Sequence, residues 1–186
     1  MHAGEILGEK DLPLRYIAFS SCFRREAGSY GKDTKGILRV HQFDKVEMVS
    51  IVKPESGVRE HEKLVSCAEG LMKDLDLLPY QVVLLASGDI GFPTAKTYDI
   101  ETWIPSQGKY RETHSISTTT DYQARRLNIK YKDNGKKEYV YILNGTAFAI
   151  GRIIIAILEN YQQKDGSVLV PKVLQKYTHF KKISPK

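Results

Sequence analysis

The sequence predicts an α+β fold, in which an antiparallel β-sheet carries helices packed against it. Runs enriched in aromatic and β-branched residues recur along the chain, first at residues 14–24 and then at residues 38–52. Only two long stretches show the three- and four-residue apolar spacing of an amphipathic helix, and they do not alternate regularly with the strand-like runs. No internal repeat or linker divides the 186 residues, so we expect one domain.

The first helix is predicted from residue 54 to about residue 77, because Pro54 suits the first helical turn. One side of this helix should pack on the sheet, and the other side, which includes Glu60, should face solvent. The predicted buried side consists of Val58, His61, Leu64, Val65, Ala68, Leu71, Met72 and Leu75.

The remaining elements follow in order. Strands are predicted at residues 80–86, 96–105 and 109–118, and a short helix at residues 122–128. A hairpin with arms at 129–131 and 138–143 should turn at Asp133, Asn134 and Gly135. The last long helix is predicted from about residue 147 to residue 163, with Asn144 and Thr146 as capping candidates, before a short helix that starts at Pro171.

The bulk composition limits the class of protein. A formal net charge of +6 favours polyanionic partners such as nucleotides, phosphates or nucleic acid, although the excess is modest. Cys22 and Cys67 are far apart, no Cys/His spacing resembles a zinc site, and no secretory signal is visible, so we expect a reducing, cytoplasmic setting. The longest apolar stretch, near residues 150–158, is too short to span a bilayer, and no membrane partner is expected.

The segment from Cys22 to Glu47 carries the strongest functional signal. Arg24 and Glu26 share one side of the first predicted strand, because successive side chains of a strand alternate between its faces. Arg39, His41, Phe43, Lys45 and Glu47 share one side of the second. Such a surface suits a nucleotide and a cationic small molecule, but a solvated hairpin face is the alternative that this alternation leaves open.

Two further sites have side chains suited to phosphates or to a metal ion bound with them. Arg152 lies near the start of the last predicted helix, where free backbone N–H groups favour anions, although a surface arginine is the alternative. Glu112 and Ser115 offer the oxygen ligands that a magnesium ion prefers, but this pair alone is a weak signal. No Ser–His–acid or Cys–His order and no P-loop lysine motif stands out.

Taken together, three segments resemble the catalytic domain of the seryl-tRNA synthetases, a family of class II aminoacyl-tRNA synthetases. CFRREAG…RVHQFDKVE is similar to the second class-defining motif of that family, and LNGTAFAIGRIIIAILENYQ is similar to the third. KTYDIETWIPSQGKYRETHSIS resembles the strands between them, and DYQARRLNIKY also follows the family pattern. The resemblance covers residues 5 to 177 and implies a class II synthetase fold, with an antiparallel sheet flanked by helices.

The resemblance also implies roles for individual residues. Arg24 would hold the α-phosphate of ATP, with Glu26 near the adenine amine, and Phe43 would stack on the base beside Val40. Arg39 and Arg152 would bracket the β- and γ-phosphates, and Arg24 and Arg152 would be the catalytic pair. The implied ATP-binding set is Arg24, Arg25, Glu26, Arg39, Val40, Phe43, Glu112, Thr113, His114, Ser115 and Arg152.

The remaining implied roles concern serine and the metal. Glu47 would take the serine ammonium group and Thr146 would contact serine, whereas Glu112 and Ser115 would ligate Mg²⁺ together with the phosphates. The implied reaction is ATP-dependent activation of serine to seryl-adenylate, followed by transfer to tRNA(Ser) in a homodimeric enzyme. Attack of an already ionised carboxylate on the α-phosphorus needs alignment and charge neutralisation rather than a general base.

Departures from the family pattern leave alternatives open. Ala147 stands where a glycine is usual and His114 where a small residue is common. An N-terminal tRNA-binding arm and the first class motif are not recognisable, so the chain is expected to be a C-terminal part of the catalytic domain. A non-catalytic nucleotide-binding module and a relative that charges a carrier protein are therefore the alternatives.

Overall fold

The computed structural model describes residues 1–26, 36–76 and 79–185 and confirms an α+β architecture. The helices are α1 (Gly57–Asp74), α2 (Tyr122–Leu127), α3 (Ile150–Asn160) and α4 (Gln175–Thr178). The strands are β1 (Ile6–Gly8), β2 (Leu14–Phe23), β3 (Gln42–Val52), β4 (Tyr80–Leu84), β5 (Lys96–Ile104), β6 (Lys109–Thr118), β7 (Lys130–Asp133), β8 (Lys136–Tyr139), β9 (Tyr141–Ala149), β10 (Val168–Leu169) and β11 (Lys182–Ile183).

The central sheet has six antiparallel strands in the order β2-β3-β9-β6-β5-β4. A smaller sheet has the order β1-β7-β8 and joins β1 to β7 in parallel, which the sequence did not indicate. Its β7–β8 hairpin turns at Asn134 and Gly135, both at positive φ, as predicted for a two-residue loop. The short pair β10–β11 forms a third sheet.

Helices α1 and α3 cover one face of the central sheet. Leu64, Ala68 and Met72 of α1 share a buried cluster with Ile153 and Ala156 of α3. The sheet contributes alternate residues to the same cluster, among them Val52, Ile100, Ile104, Ile116 and Leu143. The opposite face of these strands is therefore left for polar side chains.

Polar contacts fix α1 on the sheet. Two residues of this helix differ from their predicted environment. Glu60, predicted to face solvent, is buried and accepts hydrogen bonds from Arg15 at 2.6 Å and 2.8 Å and from Ser50 at 2.9 Å. These hydrogen bonds, chiefly those from Arg15, lower the pKa of Glu60. Val58, predicted to be buried, is 76% exposed, because it lies in the first turn beyond the edge of the core.

The end of the predicted first helix at residue 77 and most of the loop from Gly28 to Gly36 lie outside the described residues. The last helix begins at Ile150 rather than near residue 147, because residues 141–149 form β9 between β3 and β6. Asn144 and Thr146 are therefore strand residues and do not cap α3, as had been predicted. No helix in the described part of the chain combines the length and the apolar character needed to cross a bilayer.

Candidate active site

A cavity of about 440 Å³ lies on the open face of the central sheet. Its floor carries the alternate side chains of β3, β9, β6 and β5 that point away from the helices. Its rim comes from Arg24, Glu26 and residues 37–40, from five residues of the segment between β4 and β5, and from Gly151 and Arg152 at the start of α3. Segments distant in sequence thus meet around one opening.

Residues of the first predicted hairpin line one side of the cavity. The Arg24 guanidinium carbon lies 5.2 Å from the centroid of the Phe43 ring, which is a cation–π contact. Arg39 Nε donates a hydrogen bond to Glu26 Oε2 at 2.5 Å. Val40 also lines the cavity. The predicted grouping of these side chains is therefore present.

Glu47 of β3 lies in the cavity beside Lys45 and Thr146. The Lys45 Nζ atom is 2.9 Å from Glu47 Oε2, and the Thr146 hydroxyl donates to the same oxygen at 3.2 Å. Thr146 is the cross-strand neighbour of Glu47, so this contact follows directly from the register of β3 and β9. The carboxylate thus already holds one cation and one hydroxyl group.

Arg152 enters the cavity from the first turn of α3. Its Nη1 atom donates to the backbone oxygen of Glu112 at 2.7 Å and lies 3.2 Å from Glu112 Oε2. Its Nε atom is 3.4 Å from the backbone oxygen of Leu38. These contacts hold the guanidinium at the rim with its charge directed into the cavity.

Two β-bulges bring site residues to the cavity that strict alternation would send to opposite faces. Glu112 and Ser115 are three residues apart, but both line the cavity because Thr113 is an extra residue opposite the Ile100–Glu101 step of β5. Thr146 and Ala149 are likewise three apart, and Ala147 is the extra residue opposite the Val46–Glu47 step of β3. The bulges therefore create the combination of side chains at the floor.

Asp99 is a site residue that the sequence did not single out. It lines the cavity although it is only 8% exposed, and its Oδ1 atom is buried without a hydrogen-bond partner among the described residues. The pKa of Asp99 is raised to about 6, chiefly by burial and with smaller contributions from Glu112 and Glu101, whereas Ser115 and Arg152 lower it. The alternating pattern along β5 places Asp99 and Ile100 on opposite faces of the strand, but no local feature of the sequence shows that the face with Asp99 borders a cavity.

Other lining residues were also missed. Thr97 and Ser117 face each other across β5 and β6, with their hydroxyl oxygens 2.8 Å apart. Asn144 and Asp89 complete the polar lining. Small hydroxyl and amide residues on strands are common in any sheet, so their sequence pattern carried no signal.

Several residues singled out in the sequence either do not line the cavity or have side chains that are already hydrogen-bonded. His114 has no exposed surface and packs on Phe148 with ring centroids 6.1 Å apart, and burial lowers its pKa to about 4. Arg25 and His41 are not among the lining residues. Thr113 does line the cavity, but its hydroxyl is bonded to Thr102 at 2.9 Å and to the backbone of Ile100 at 3.1 Å. Ala147 is buried and does not line the cavity.

Comparison with known proteins agrees with this geometry. Residues 1–161 match the family model of the tRNA synthetase class II core domain (G, H, P, S and T). The chain belongs to the class II tRNA synthetase core-domain family. An antiparallel sheet with helices on one face and a polar cavity on the other is accordingly the architecture of this class II core domain.

Relatives of this class II core are similar over almost the whole chain. A serine–tRNA ligase of Sulfurihydrogenibium sp. is 61% identical over 95% of the chain, and one of Thermotoga maritima is 55% identical over 98%. A crystal structure of seryl-tRNA synthetase from Pyrococcus horikoshii complexed with ATP matches all of the chain with a TM-score of 0.96 and 56% identity. The chain spans only 42% to 43% of the length of these proteins.

Proposed function

We propose that this chain is the core of a serine–tRNA ligase, which activates serine with ATP to seryl-adenylate and then transfers the seryl group to tRNA(Ser). The observation that carries the proposal is that Arg24, Arg39, Lys45 and Arg152 line one cavity with the Phe43 ring and the Glu47 carboxylate. Four cations in one cavity suit a triphosphate, and an aromatic ring suits a purine. The similar serine–tRNA ligases and the ATP complex support this assignment.

ATP would take over contacts that the side chains now make with one another. Arg39 and Arg152 each contact a carboxylate, from Glu26 and Glu112 respectively. We propose that these two guanidinium groups bracket the β- and γ-phosphates. The existing pairs would hold the arginines in place before the nucleotide binds, which lowers the entropic cost of ordering them.

The base and the α-phosphate involve Arg24 and Phe43 together. With the guanidinium carbon 5.2 Å from the ring centroid, no purine fits between them. We propose that Arg24 swings from the ring to the α-phosphate as the adenine stacks on Phe43, with Val40 and Glu26 beside the base. The cation–π contact would then mark the nucleotide-free arrangement of this side of the cavity.

Serine would bind at Glu47 and Thr146. We propose that the Glu47 carboxylate takes the serine ammonium group, while Thr146 and neighbouring polar groups bind serine. Because a site with buried polar groups rejects an analogue that leaves them unpaired, such a site would disfavour alanine. The serine carboxylate is ionised at neutral pH, so it attacks the α-phosphorus without a general base. The bond from this phosphorus to the bridging oxygen breaks, pyrophosphate leaves, and the side chains align the carboxylate and balance the phosphate charge.

The donor set at Glu112, Ser115 and Asp99 fits Mg²⁺, because all three offer oxygen atoms and Asp99 Oδ1 has no partner among the described residues. We propose Glu112 and Ser115 as the residues that would hold the ion, which supplies neutralisation of phosphate charge when bound. No group of three His, Cys, Asp or Glu side chains within the described residues forms a complete metal site. A magnesium ion carried by substrate phosphates needs only one or two protein ligands.

We further propose a homodimer in a cytoplasmic setting. The edge strand β2 exposes Ile17, Phe19 and Phe23, and large exposed apolar side chains on a strand that pairs on one side only, among the described residues, favour association. Cys22 and Cys67 are both unpaired thiols, which suits a reducing compartment. Sedimentation equilibrium should detect a dimer, and a monomer at all concentrations would contradict this part of the proposal.

Arg24→Ala and Arg152→Ala test the catalytic assignment. Each variant should lose ATP binding by the chain and serine-dependent ATP–pyrophosphate exchange, because a phosphate contact is removed. Arg59→Ala, on the exposed side of α1 and outside the cavity, is the matched control and should behave like the unmodified chain. Normal ATP binding by both cavity variants would refute the assignment.

A further inference from the structure

A positively charged surface lies on the small sheet, separate from the cavity. Cross-strand neighbours share a face, so the pairs Lys130–Tyr139 and Lys132–Lys137 lie on the same side of the β7–β8 hairpin. Arg125 of α2 joins them, with its guanidinium carbon 4.7 Å from the centroid of the Tyr139 ring. We call this surface, made of Arg125, Lys130, Lys132, Lys137 and Tyr139, the basic face. None of its residues lines the cavity.

Among the described residues, only one of the four cations on the basic face has an ion-pair partner, namely Arg125 with Asp121. Lys132 and Lys137 stand directly opposite each other, a placement of like charges that destabilises a strand pair. No ion pair among the described residues involves either lysine. The acidic residues of the same hairpin, Asp133 and Glu138, lie on its other face, where Glu138 accepts a hydrogen bond from Tyr131.

The centre of the basic face is held in place by side-chain contacts. Asp121 binds Arg125 through Nε at 2.8 Å and Nη2 at 2.7 Å. Lys130 Nζ lies 4.8 Å from the same Tyr139 ring that Arg125 contacts. Two cations are thus ordered around one half-buried aromatic ring, an arrangement suited to a polyanion rather than to an apolar partner.

Aromatic contacts connect the basic face to the cavity rim. Phe92 does not itself line the cavity but lies between the lining residues Gly91 and Thr94, and its ring meets Tyr122 of α2 edge-on, with ring centroids 5.6 Å apart. The Arg126 guanidinium carbon lies 3.4 Å from the centroid of the Tyr122 ring. Cationic and aromatic groups therefore continue from the cavity mouth across α2, which carries Arg125, to the hairpin.

Protection of a sheet edge explains only part of this pattern. β8 is the outer strand of the small sheet, and lysines on outer strands prevent edge-to-edge aggregation. Lys130 and Lys132 lie on the inner strand β7, and Arg125 lies on a helix, so edge protection does not account for them. Their convergence on one face needs a different reason.

We propose that the basic face binds the phosphate backbone of an RNA stem whose 3′ end enters the cavity. The proposal rests on the function proposed above, because it takes the substrate of that cavity to be the end of an RNA. Lysine and arginine contacts to phosphates would set the orientation of the stem and leave base recognition to other surfaces. The rim segment with Phe92 would lie between the stem and the cavity.

The double variant Lys132→Glu/Lys137→Glu tests the proposal. The probe is an RNA hairpin with a base-paired stem and a single-stranded 3′ end, and binding to the 186-residue chain is followed by fluorescence anisotropy over a range of KCl concentrations. Loss of two phosphate contacts should flatten the slope of log K against log salt by about 2 and weaken binding at low salt. The matched control Lys63→Glu/Lys73→Glu makes the same change of net charge on the exposed side of α1 and should leave the slope unchanged.

Further measurements make each outcome decisive. Lys132→Gln/Lys137→Gln should show the same flattening without added negative charge, and urea unfolding should show that all variants fold. Equal RNA binding by the basic-face and control variants would overturn the inference. It would also be overturned if the basic-face variants bound RNA normally but no longer bound phosphatidylserine vesicles. If the cavity binds ATP while the basic-face variants bind RNA normally, only this inference fails. If the basic face binds RNA but the chain does not bind ATP, the proposed function fails instead.

Discussion

Replacing Asp99 with asparagine tests how strongly the sheet disfavours a charge at the floor of the cavity. Burial raises the pKa of this carboxyl group to about 6, from an ordinary value of 3.8 in the unfolded chain. Between these two pH values the unfolded chain has released the proton while the folded protein still holds it. Stability should therefore fall as the pH rises from about 4 to about 6, because the folded state binds more protons there.

The magnitude follows from the difference between the two pKa values, which corresponds to about 3 kcal/mol. Asparagine has nearly the same shape and cannot ionise, so Asp99→Asn removes this contribution. The free energy of unfolding of Asp99→Asn relative to the unmodified chain should be smallest near pH 4. It should rise by up to about 3 kcal/mol by pH 7 and then stay constant.

Urea unfolding between pH 4 and pH 8 measures this difference directly. The unmodified chain alone is not informative, because the pKa of buried His114 is lowered to about 4 and its contribution changes with opposite sign over a similar range. The difference between the unfolding free energies of the unmodified chain and of the variant no longer contains the contribution of His114, because both proteins carry this histidine. A stability difference that does not change with pH would refute the conclusion that Asp99 is destabilised by burial.

Three other substitutions give clear expectations. Phe43→Ala should weaken ATP binding by about 5- to 150-fold, the cost of losing about 1–3 kcal/mol of base stacking. Phe180→Ala, at an exposed position outside the cavity, should not weaken it, and equal calorimetric affinities of the two variants would contradict the stacking role. Gly57→Ala should destabilise the chain, because a Cβ atom there would lie 2.8 Å from Tyr141 Cδ2 and overpacking costs about 1–3 kcal/mol. Gly70→Ala, with no atom within 4 Å, should instead stabilise α1 by up to about 1 kcal/mol, so the two should shift thermal unfolding in opposite directions.

Regular periodicity predicted most of the elements. The strand predicted at residues 109–118 is β6, the strand at 96–105 is β5 within one residue, and the short helix at 122–128 is α2 within one residue. In each case an alternating or helical pattern continues through the element and ends at a turn. The sequence pattern and the three-dimensional structure agree where local preference and burial favour the same conformation.

The start of α3 was predicted wrongly because tertiary pairing overrides a local signal. Asn144 and Thr146 precede an apolar helical stretch and have side chains suited to capping. Pairing with β3 on one side and β6 on the other keeps residues 141–149 extended, so both side chains point from a strand into the cavity. No property of the segment alone reveals that two other strands lie beside it.

The candidate site was likewise predicted where a local pattern was sufficient and missed where the arrangement depends on distant strands. Arg24, Glu26, Phe43 and Glu47 line one cavity, as the sequence predicted, but strand alternation accounts only for Phe43 and Glu47 on β3. Arg24 and Glu26 lie just beyond the end of β2, and Glu26 has a positive φ, so they are not strand residues as predicted. Asp99 was missed because its place at the cavity floor depends on strand order, with β5 beside β6 and β6 beside β9. Strand order is a long-range property that alternation within a single strand cannot show.

The two bulges explain how a flat sheet comes to hold a cavity with this set of side chains. β6 and β9 pair only from Ile116 to Thr118, and the bulges at Thr113 and Ala147 lie just beyond this paired stretch. The buried His114 ring follows the first bulge and packs on Phe148, which follows the second. Because an extra residue increases local twist and breaks the ladder, the strands separate at this point. The separation lets Glu112 and the first turn of α3 meet above the floor, so we infer that His114 supports the cavity from beneath without contacting its contents.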